Sequence, residues 1–357
     1  SGSTGDPKGV VLSHYNIVSE IESIRQAYRV LPNDRLAAIL PFFHSFGYTM
    51  FWFAAQTGMG SAFHPSPLDA NAVGALVERY AVTVLMATPT FLHLYLRRCT
   101  PAQFGSLRLV LVGAEKLPDS LFQAFEDSFG IRPMEGYGLT ECAPVVAVNT
   151  FDYRCAGTFQ PGSRRGYVGQ PLPGVSIRIV SPTTLEPLGA DAEGLILVKG
   201  PNVMTGYLGR DDLTEKAFHD GWYNSGDLGL LSEDGFLKIT GRLSRFSKIG
   251  GEMVPHGRIE QALQDAVGAD SQVFAVTAVG DPKKGEKLAV LHTLDEPQVD
   301  DAFRKLGELG LPNLFIPKRD HFIKVPAIPM LGSGKLDLRA VHSLAEESLA
   351  EDRLVSS

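Results

Sequence analysis

Only three cysteines, Cys99, Cys142 and Cys155, occur in 357 residues. Three thiols without a C-x-x-C spacing build neither a disulfide framework nor a zinc site, so a reducing, cytoplasmic compartment is expected. Runs of Lys or Arg are also lacking, and 33 basic against 40 acidic residues leave a net charge of −7. Nucleic-acid affinity rests largely on phosphate neutralisation, so no nucleic acid is expected as a partner. Nor does any stretch reach the roughly 18 uninterrupted apolar residues that cross a bilayer. Residues 36–68 carry no Asp, Glu, Lys or Arg, but Pro41, His44, Gly47, Gln56, Gly58 and Gly60 interrupt them, and they read as core and pocket wall. Solenoid repeats and low-complexity tracts are missing too. No secretory leader is read at the start, and because Ser1 already lies inside a motif, the natural beginning is expected upstream.

What is present fits an ordinary folded protein, 44% hydrophobic and 20% charged, too apolar for long disorder. At roughly 150 residues per domain the length suggests two or three domains. Apolar runs at 35–40, 82–86 and 107–112 read as strands with helical patterns between them. Val73, Leu76, Val77 and Tyr80 follow helical spacing behind a capping Asp69. In the next unit Pro118 suits a first helical turn, Leu121, Phe122, Phe125 and Phe129 form the stripe to be buried, and Gly130 suits the left-handed exit. This is α/β layering on a largely parallel sheet. Near Gly166 the texture shifts to short strands with Gly and Pro turns, at 175–180, 194–199 and 236–240, which predicts a β-rich subdomain. Beyond Gly241-Arg242, a helix carrying Ile259, Leu263 and Val267, strands at 273–279 and 288–293 and a helix near Asp301 predict a small α+β domain. The last dozen residues, polar and acidic, read as a frayed helix end.

Five stretches carry chemistry. The opening Ser1-Gly2-Ser3-Thr4-Gly5-Asp6-Pro7-Lys8-Gly9 can present amides, hydroxyls and a lysine to phosphate oxygens, although a flexible Gly/Ser terminus would look the same. It differs from a P-loop, because Lys8 follows proline and Gly9 comes after it. Glu135-Gly136-Tyr137-Gly138-Leu139-Thr140-Glu141 follows an expected strand at 131–134. A hydroxyl and a carboxylate there could hold phosphate and its magnesium, or the segment is simply a Gly-rich turn. Asp227, ending Gly221-Trp222-Tyr223-Asn224-Ser225-Gly226-Asp227, suits two ribose hydroxyls or is an Asp in a turn. Gly241-Arg242 through Gly251-Glu252 is a charged linker or part of a site. Lys335, in Pro329-Met330-Leu331-Gly332-Ser333-Gly334-Lys335, is either a surface lysine or one that reaches in to neutralise developing charge.

Taken in order, these stretches resemble the adenylate-forming superfamily over almost the whole chain, from Ser1 to about Arg339. The resemblance implies a truncated adenylate-forming large domain (α/β layers plus a β-rich subdomain near 166–241) over 1–243, with a small mobile α+β lid over 244–357. It implies ATP and Mg²⁺. Ser1, Gly2, Ser3, Thr4, Gly5 and Lys8 would hold the β- and γ-phosphates. Thr140 would meet the α-phosphate, and Glu141 would bind Mg²⁺ together with Thr4. Asp227 and Arg242 would hold the ribose, Gly113, Ala114, Glu115, Tyr137 and Gly138 would complete the nucleotide site, and Lys335 would serve adenylation before the lid rotates about a pivot near Ser244.

The pocket stretch Pro41-Phe42-Phe43-His44-Ser45-Phe46-Gly47 has no acidic residue for an α-amino group, and its aromatic run suits a fatty acid. His44 reads either as a catalytic gate to that pocket or as a histidine satisfied within its wall. Ser66-Pro67-Leu68, Gly113-Ala114-Glu115-Lys116-Leu117, Cys142-Ala143-Pro144-Val145-Val146 and Gly251-Glu252-Met253-Val254 resemble the synthetase half of bacterial bifunctional acylglycerophosphoethanolamine acyltransferase/acyl-carrier-protein synthetases. That implies acyl carrier protein, or otherwise coenzyme A, as partner, and lysophospholipid reacylation at the inner membrane face through upstream domains. Two departures, Ser244 at the hinge and Arg258 in place of a frequent Glu, bear on the kinetics of rotation.

Overall fold

The computed structural model describes residues 8–250, 252–269, 272–281, 285–330 and 336–355. They divide between Thr240 and Gly241 into two compact units, rather than after residue 243. In the first unit the elements run β1 (Val10–Val11), α1 (His14–Ala27), β2 (Arg35–Ala38), α2 (Ser45–Thr57), β3 (Gly60–Phe63), α3 (Ala70–Tyr80), β4 (Val84–Ala87), α4 (Pro89–Arg98), β5 (Leu109–Val112), α5 (Asp119–Phe129), β6 (Pro133–Gly138) and β7 (Val145–Val148). A hairpin of β8 (Tyr153–Cys155) and β9 (Thr158–Gln160) precedes β10 (Gln170–Pro171). Seven of these strands form one sheet in the order β10-β7-β6-β5-β4-β2-β3. Its pairings are parallel from β3 through β6, with β7 and β10 antiparallel at the edge.

Alternation along the strands decides what covers each face. Leu36, Val84, Met86, Leu109, Leu111 and Met134 pack with Ile21, Ile24, Met50 and Phe53 of α1 and α2. Their neighbours Ala37, Leu85, Ala87, Val110 and Val112 pack with Val73, Leu92, Leu121 and Phe125 of α3, α4 and α5. With both faces buried, the strands carry the near-continuous apolar runs seen in the sequence. Asp69 caps α3 as expected, accepting from the Ala72 N–H at 3.1 Å. Pro118 does not enter α5. It is the extended residue before it (φ −64°, ψ 141°), so the fixed proline φ serves the approach and the helix starts at Asp119. Gly130 makes the left-handed exit at φ 68°, and Phe129 is only partly buried.

A second sheet uses β11 (Ser176–Val180), β12 (Gly194–Lys199), β14 (Phe218–His219), β15 (Trp222–Leu231) and β16 (Leu237–Arg242) in the order β11-β12-β15-β14, with β16 on β15. Between them β13 (Gly206–Tyr207) pairs with β1, and α6 covers Asp211–Ala217. The second unit holds the hairpin β17 (Phe246–Ile249) and β18 (Glu252–Pro255), then α7 (His256–Val267), β19 (Phe274–Asp281), β20 (Gly285–His292), α8 (Glu296–Glu308), β21 (Phe322–Lys324) and α9 (Leu338–Val355). Phe274, Val276, Leu288 and Val290 face α7 and α8, while Ala275, Val279, Ala289 and Leu291 face α9. None of the described helices is long and apolar enough to cross a membrane.

The uncharged stretch is not all interior. Leu36, Ile39, Met50 and Phe53 are buried, but Phe42, Phe51, Trp52 and Phe63 stand on the surface and Phe43 is 95% exposed. These rings touch edge to face, Phe42 with Phe51 at 6.0 Å and Phe51 with Trp52 at 5.1 Å. The absence of charge therefore marks an aromatic surface as well as a core.

One buried carboxylate ties the amino ends of the sheet together. Asp34 accepts from the Leu31 N–H (2.7 Å), the Thr83 hydroxyl (2.7 Å) and Arg108 Nε (2.7 Å), with a second bond from Arg108 Nη2. Burial alone would raise this carboxyl, but Arg108, Leu31 and Thr83 together hold it below its ordinary 3.8. Asp34→Ala is expected to cost about 2–3 kcal/mol in denaturant unfolding, less than a fully buried pair because Arg108 keeps some water. A depressed folded pKa contributes stability above the unfolded value and loses it as pH falls through the folded one, so the variant's acid limb below pH 4 should be flatter.

Candidate active site

Parallel strands β2, β4, β5 and β6 end side by side, and ligands of open α/β sheets bind outside such carboxyl ends. The loops there carry 41–44, 113–115 and 139–145. A tight return after β6 shapes the last of them. The Leu139 N–H donates to Pro144 O at 2.7 Å, and a Cβ at Gly138 would lie 2.3 Å from that same oxygen, so only glycine fits. Within the turn Thr140–Cys142 forms a single 3₁₀ turn.

Several expected site residues meet here. Glu141, 6% exposed, accepts a 2.9 Å bond from the Tyr207 hydroxyl at Oε1. Burial, then Glu141, push that phenol up to about 12, so it stays a donor. The Lys8 ammonium sits 5.1 Å from the Tyr207 ring, because β1, just past the opening loop, pairs Val10 with Tyr207. Thr140 and Ser45 hydroxyls are 3.3 Å apart. Asp227, 8% exposed, accepts from the Tyr137 hydroxyl at 2.6 Å, and its own N–H donates to Ser225 Oγ at 3.0 Å. Burial and Asp227 hold the Tyr137 phenol well above its ordinary value.

Other expected residues stand on neighbouring loops and elements. Gly113 lies against Gly136 O and the Phe46 ring, 3.5 and 3.7 Å from where a Cβ would sit, and Ala114 adopts φ 69°. Glu115 is spent on α4, accepting from the Thr90 N–H (3.2 Å) and hydroxyl (2.7 Å). His44 is the N-cap of α2, its Nδ1 accepting from the Phe46 N–H at 3.2 Å. That cap supplies the hydrogen bond which one of the two sequence readings required. Arg242 ends β16 in the second unit. Ser1, Gly2, Ser3, Thr4, Gly5 and Lys335 lie outside the described residues.

Sequence reasoning missed Tyr207, whose signal was only its place in an extended Gly-Tyr pair, and Ser45 within the aromatic stretch. A separate cleft of about 290 Å³ between α5 and β6, lined by Phe122, Arg132, Glu135, Asn149, Arg164 and Arg165, contains none of the gathered groups. Its arginines are already paired, with Glu126, Asp234 and Asp119.

No cluster of three or more His, Cys, Asp or Glu side chains able to hold a metal occurs among the described residues. Magnesium bound with a nucleotide needs only one or two carboxylates, because phosphates and waters complete its octahedron. The hard oxygens of Glu141 and Thr140 fit that mode.

A layered α/β unit with this turn and a small α+β unit define an adenylate-forming fold. The family profile described as AMP-binding enzyme matches residues 1–208, and the chain belongs to that family. It is similar to a feruloyl-CoA synthase of Amycolatopsis, 31% identical over 340 residues that make up 94% of this chain and 67% of the relative. A long-chain-fatty-acid–CoA ligase of Salmonella typhimurium is 30% identical over 96% of this chain and 60% of its own length. The solved O-succinylbenzoate coenzyme A synthetase of Bacillus subtilis, in complex with ATP and magnesium ion, superposes with a TM-score of 0.78 at 26% identity, covering 95% of this chain and 68% of that one. The chain thus spans about two thirds or less of the length of the curated relatives it matches. The class these matches define is that of ligases joining an acid to coenzyme A.

Two measurements bear on buried acids in and beside the site. Tyr137→Phe removes the donor to a buried carboxylate and is expected to cost about 1–3 kcal/mol of stability in chemical denaturation. Glu135, pushed up to about 7 mainly by burial, contributes stability that is full below its ordinary 4.5 and lost as pH rises through 7. Glu135→Gln should flatten melting temperature against pH across that window.

Proposed function

We propose that this protein is an ATP-dependent ligase that converts a fatty acid to its acyl-adenylate and passes the acyl group to a thiol. The observation that carries the reading is the meeting of Lys8, Thr140, Glu141, Tyr207, Tyr137 and Asp227 at the carboxyl ends of the parallel strands. In the first step a carboxylate oxygen attacks the α-phosphorus, the bond to the β-phosphate oxygen breaks, and pyrophosphate leaves. In the second a thiolate attacks the acyl carbonyl and AMP leaves with the electron pair.

Each group has a task that its chemistry suits. Lys8, with Ser1, Gly2, Ser3, Thr4 and Gly5, holds the β- and γ-phosphates. Thr140 donates to the α-phosphate, and Glu141 with Thr4 holds Mg²⁺. Asp227 and Arg242 take the ribose, whose hydroxyls suit a carboxylate acceptor and a guanidinium donor. Gly113, Ala114, Tyr137 and Gly138 line the nucleotide, with Glu115 holding their loop against α4. Lys335 neutralises charge on the reacting oxygens. The uncharged wall of Phe42, Phe46 and Phe51 favours an apolar acid, and its capping His44 shapes the wall's entrance.

Motif resemblance supports acyl carrier protein as acceptor, with reacylation of lysophospholipids at the inner membrane face as the use. The relatives named above, a feruloyl-CoA synthase and a fatty-acid–CoA ligase, support coenzyme A as the second reading. Full-length protein given ATP, Mg²⁺ and palmitate should release pyrophosphate and then consume one thiol, and the thiol consumed decides between the two. Lys335→Ala should lower pyrophosphate release by about 10²-fold or more while ATP binding survives. Release near the parental rate would remove Lys335 from the mechanism.

A further inference from the structure

Helix α1 buries polar side chains on one face. Asn16, Glu20 and Ser23 follow i, i+4, i+7 spacing and are 5%, 1% and 8% exposed. Each reaches a backbone group far away in sequence. Asn16 Nδ2 donates to Pro201 O and Val203 O at 2.7 and 2.8 Å, and Ser23 Oγ donates to Pro173 O at 2.8 Å. Glu20 Oε1 accepts from the Val145 N–H at 2.7 Å, while Oε2 has no hydrogen-bond partner and is shut off from solvent.

Val145 closes the turn that begins at Thr140. The carbonyls of that turn are also held: Asn202 Nδ2 donates to Cys142 O and Val145 O at 3.0 and 2.8 Å, Thr49 Oγ1 to Ala143 O at 3.1 Å, and the Met204 N–H to Glu141 O at 2.8 Å. All of these engage carbonyls, which a donor satisfies. Glu20 instead serves an N–H, which needs an acceptor. Water cannot reach this place, and a hydrocarbon side chain would leave the amide unpaired.

We propose that Glu20 is a positioning residue of the site, fixing through the Val145 N–H the turn that presents Thr140 and Glu141. Burial pushes its carboxyl well above the ordinary range, against the lowering effect of the Val145 amide. The role in turnover rests on the ligase reading above.

The test uses full-length Glu20→Gln and Glu20→Met, followed by pyrophosphate release against Mg²⁺ and ATP, and by hydrogen exchange at the Val145 amide. Glutamine keeps a carbonyl acceptor at the same reach, so its rate should stay within about twofold of the parent and the amide should stay protected. Methionine matches the volume without the acceptor. Its kcat should fall about tenfold or more, with a higher Mg²⁺ requirement and KM for ATP within about threefold, since misplacement of reacting groups acts on the chemical step. A Met variant with parental kcat and Mg²⁺ response overturns the proposal, as does a Gln variant as impaired as Met. Should the Met variant fail to fold, Glu20→Asp, one methylene shorter, takes its place with the same expected loss, and a parental rate there overturns the proposal equally. If the parent releases no pyrophosphate with any acid, the ligase reading fails by itself. Exchange at Val145, protected in Gln and lost in Met, then still decides what Glu20 does.

Discussion

Acidic side chains withdrawn from water are the constraint on which the first unit turns. Glu141 accepts from a phenol, Asp227 from another phenol, and Glu20 from an amide. A buried acid without donors would be costly to keep, and each of these donors also fixes the direction in which an oxygen points. Asp34, at the amino ends of the strands, accepts from an arginine as well as from an amide and a hydroxyl.

That constraint explains why the turn after β6 is braced so heavily. Holding a partly uncompensated carboxylate in place costs free energy, and a mobile loop would relax by turning Glu141 outward to water. The close approach at Gly138, the Asn202 and Thr49 bonds and the Met204 amide remove that escape. Preorganisation of this kind lets a site act on developing charge without reorganising at the moment of reaction.

The layered sheet was readable in the sequence because period and burial agree: Val84 to Ala87 and Leu109 to Val112 are apolar on both faces, and both faces are covered. Asp69 and Gly130 were readable for equally local reasons, a side-chain acceptor and a missing Cβ. Glu20 was not, because three polar residues at helical spacing ordinarily mean a solvated face. Only the long-range return of Val145, Pro173 and Pro201 turns that face inward. The aromatic stretch misled in the opposite sense. Hydropathy read the stretch as core and pocket wall alike, yet Phe43 and Phe63 stand on the surface, and nothing local distinguishes a ring that lines a surface from one that fills a core.

The second unit packs within itself. Its two clusters, around α7 and α8 and around α9, are complete without the first unit. Arg245 belongs firmly to it, since its guanidinium pairs with Glu260, and Glu260 in turn accepts from the Val276 N–H at 2.6 Å. Burial would raise the Glu260 carboxyl, and Arg245 opposes that rise, so each of the two groups is costly without the other. Backbone from Arg245 onward is therefore tied into the small unit, whereas Gly241 to Ser244 contributes no side chain to either of its cores.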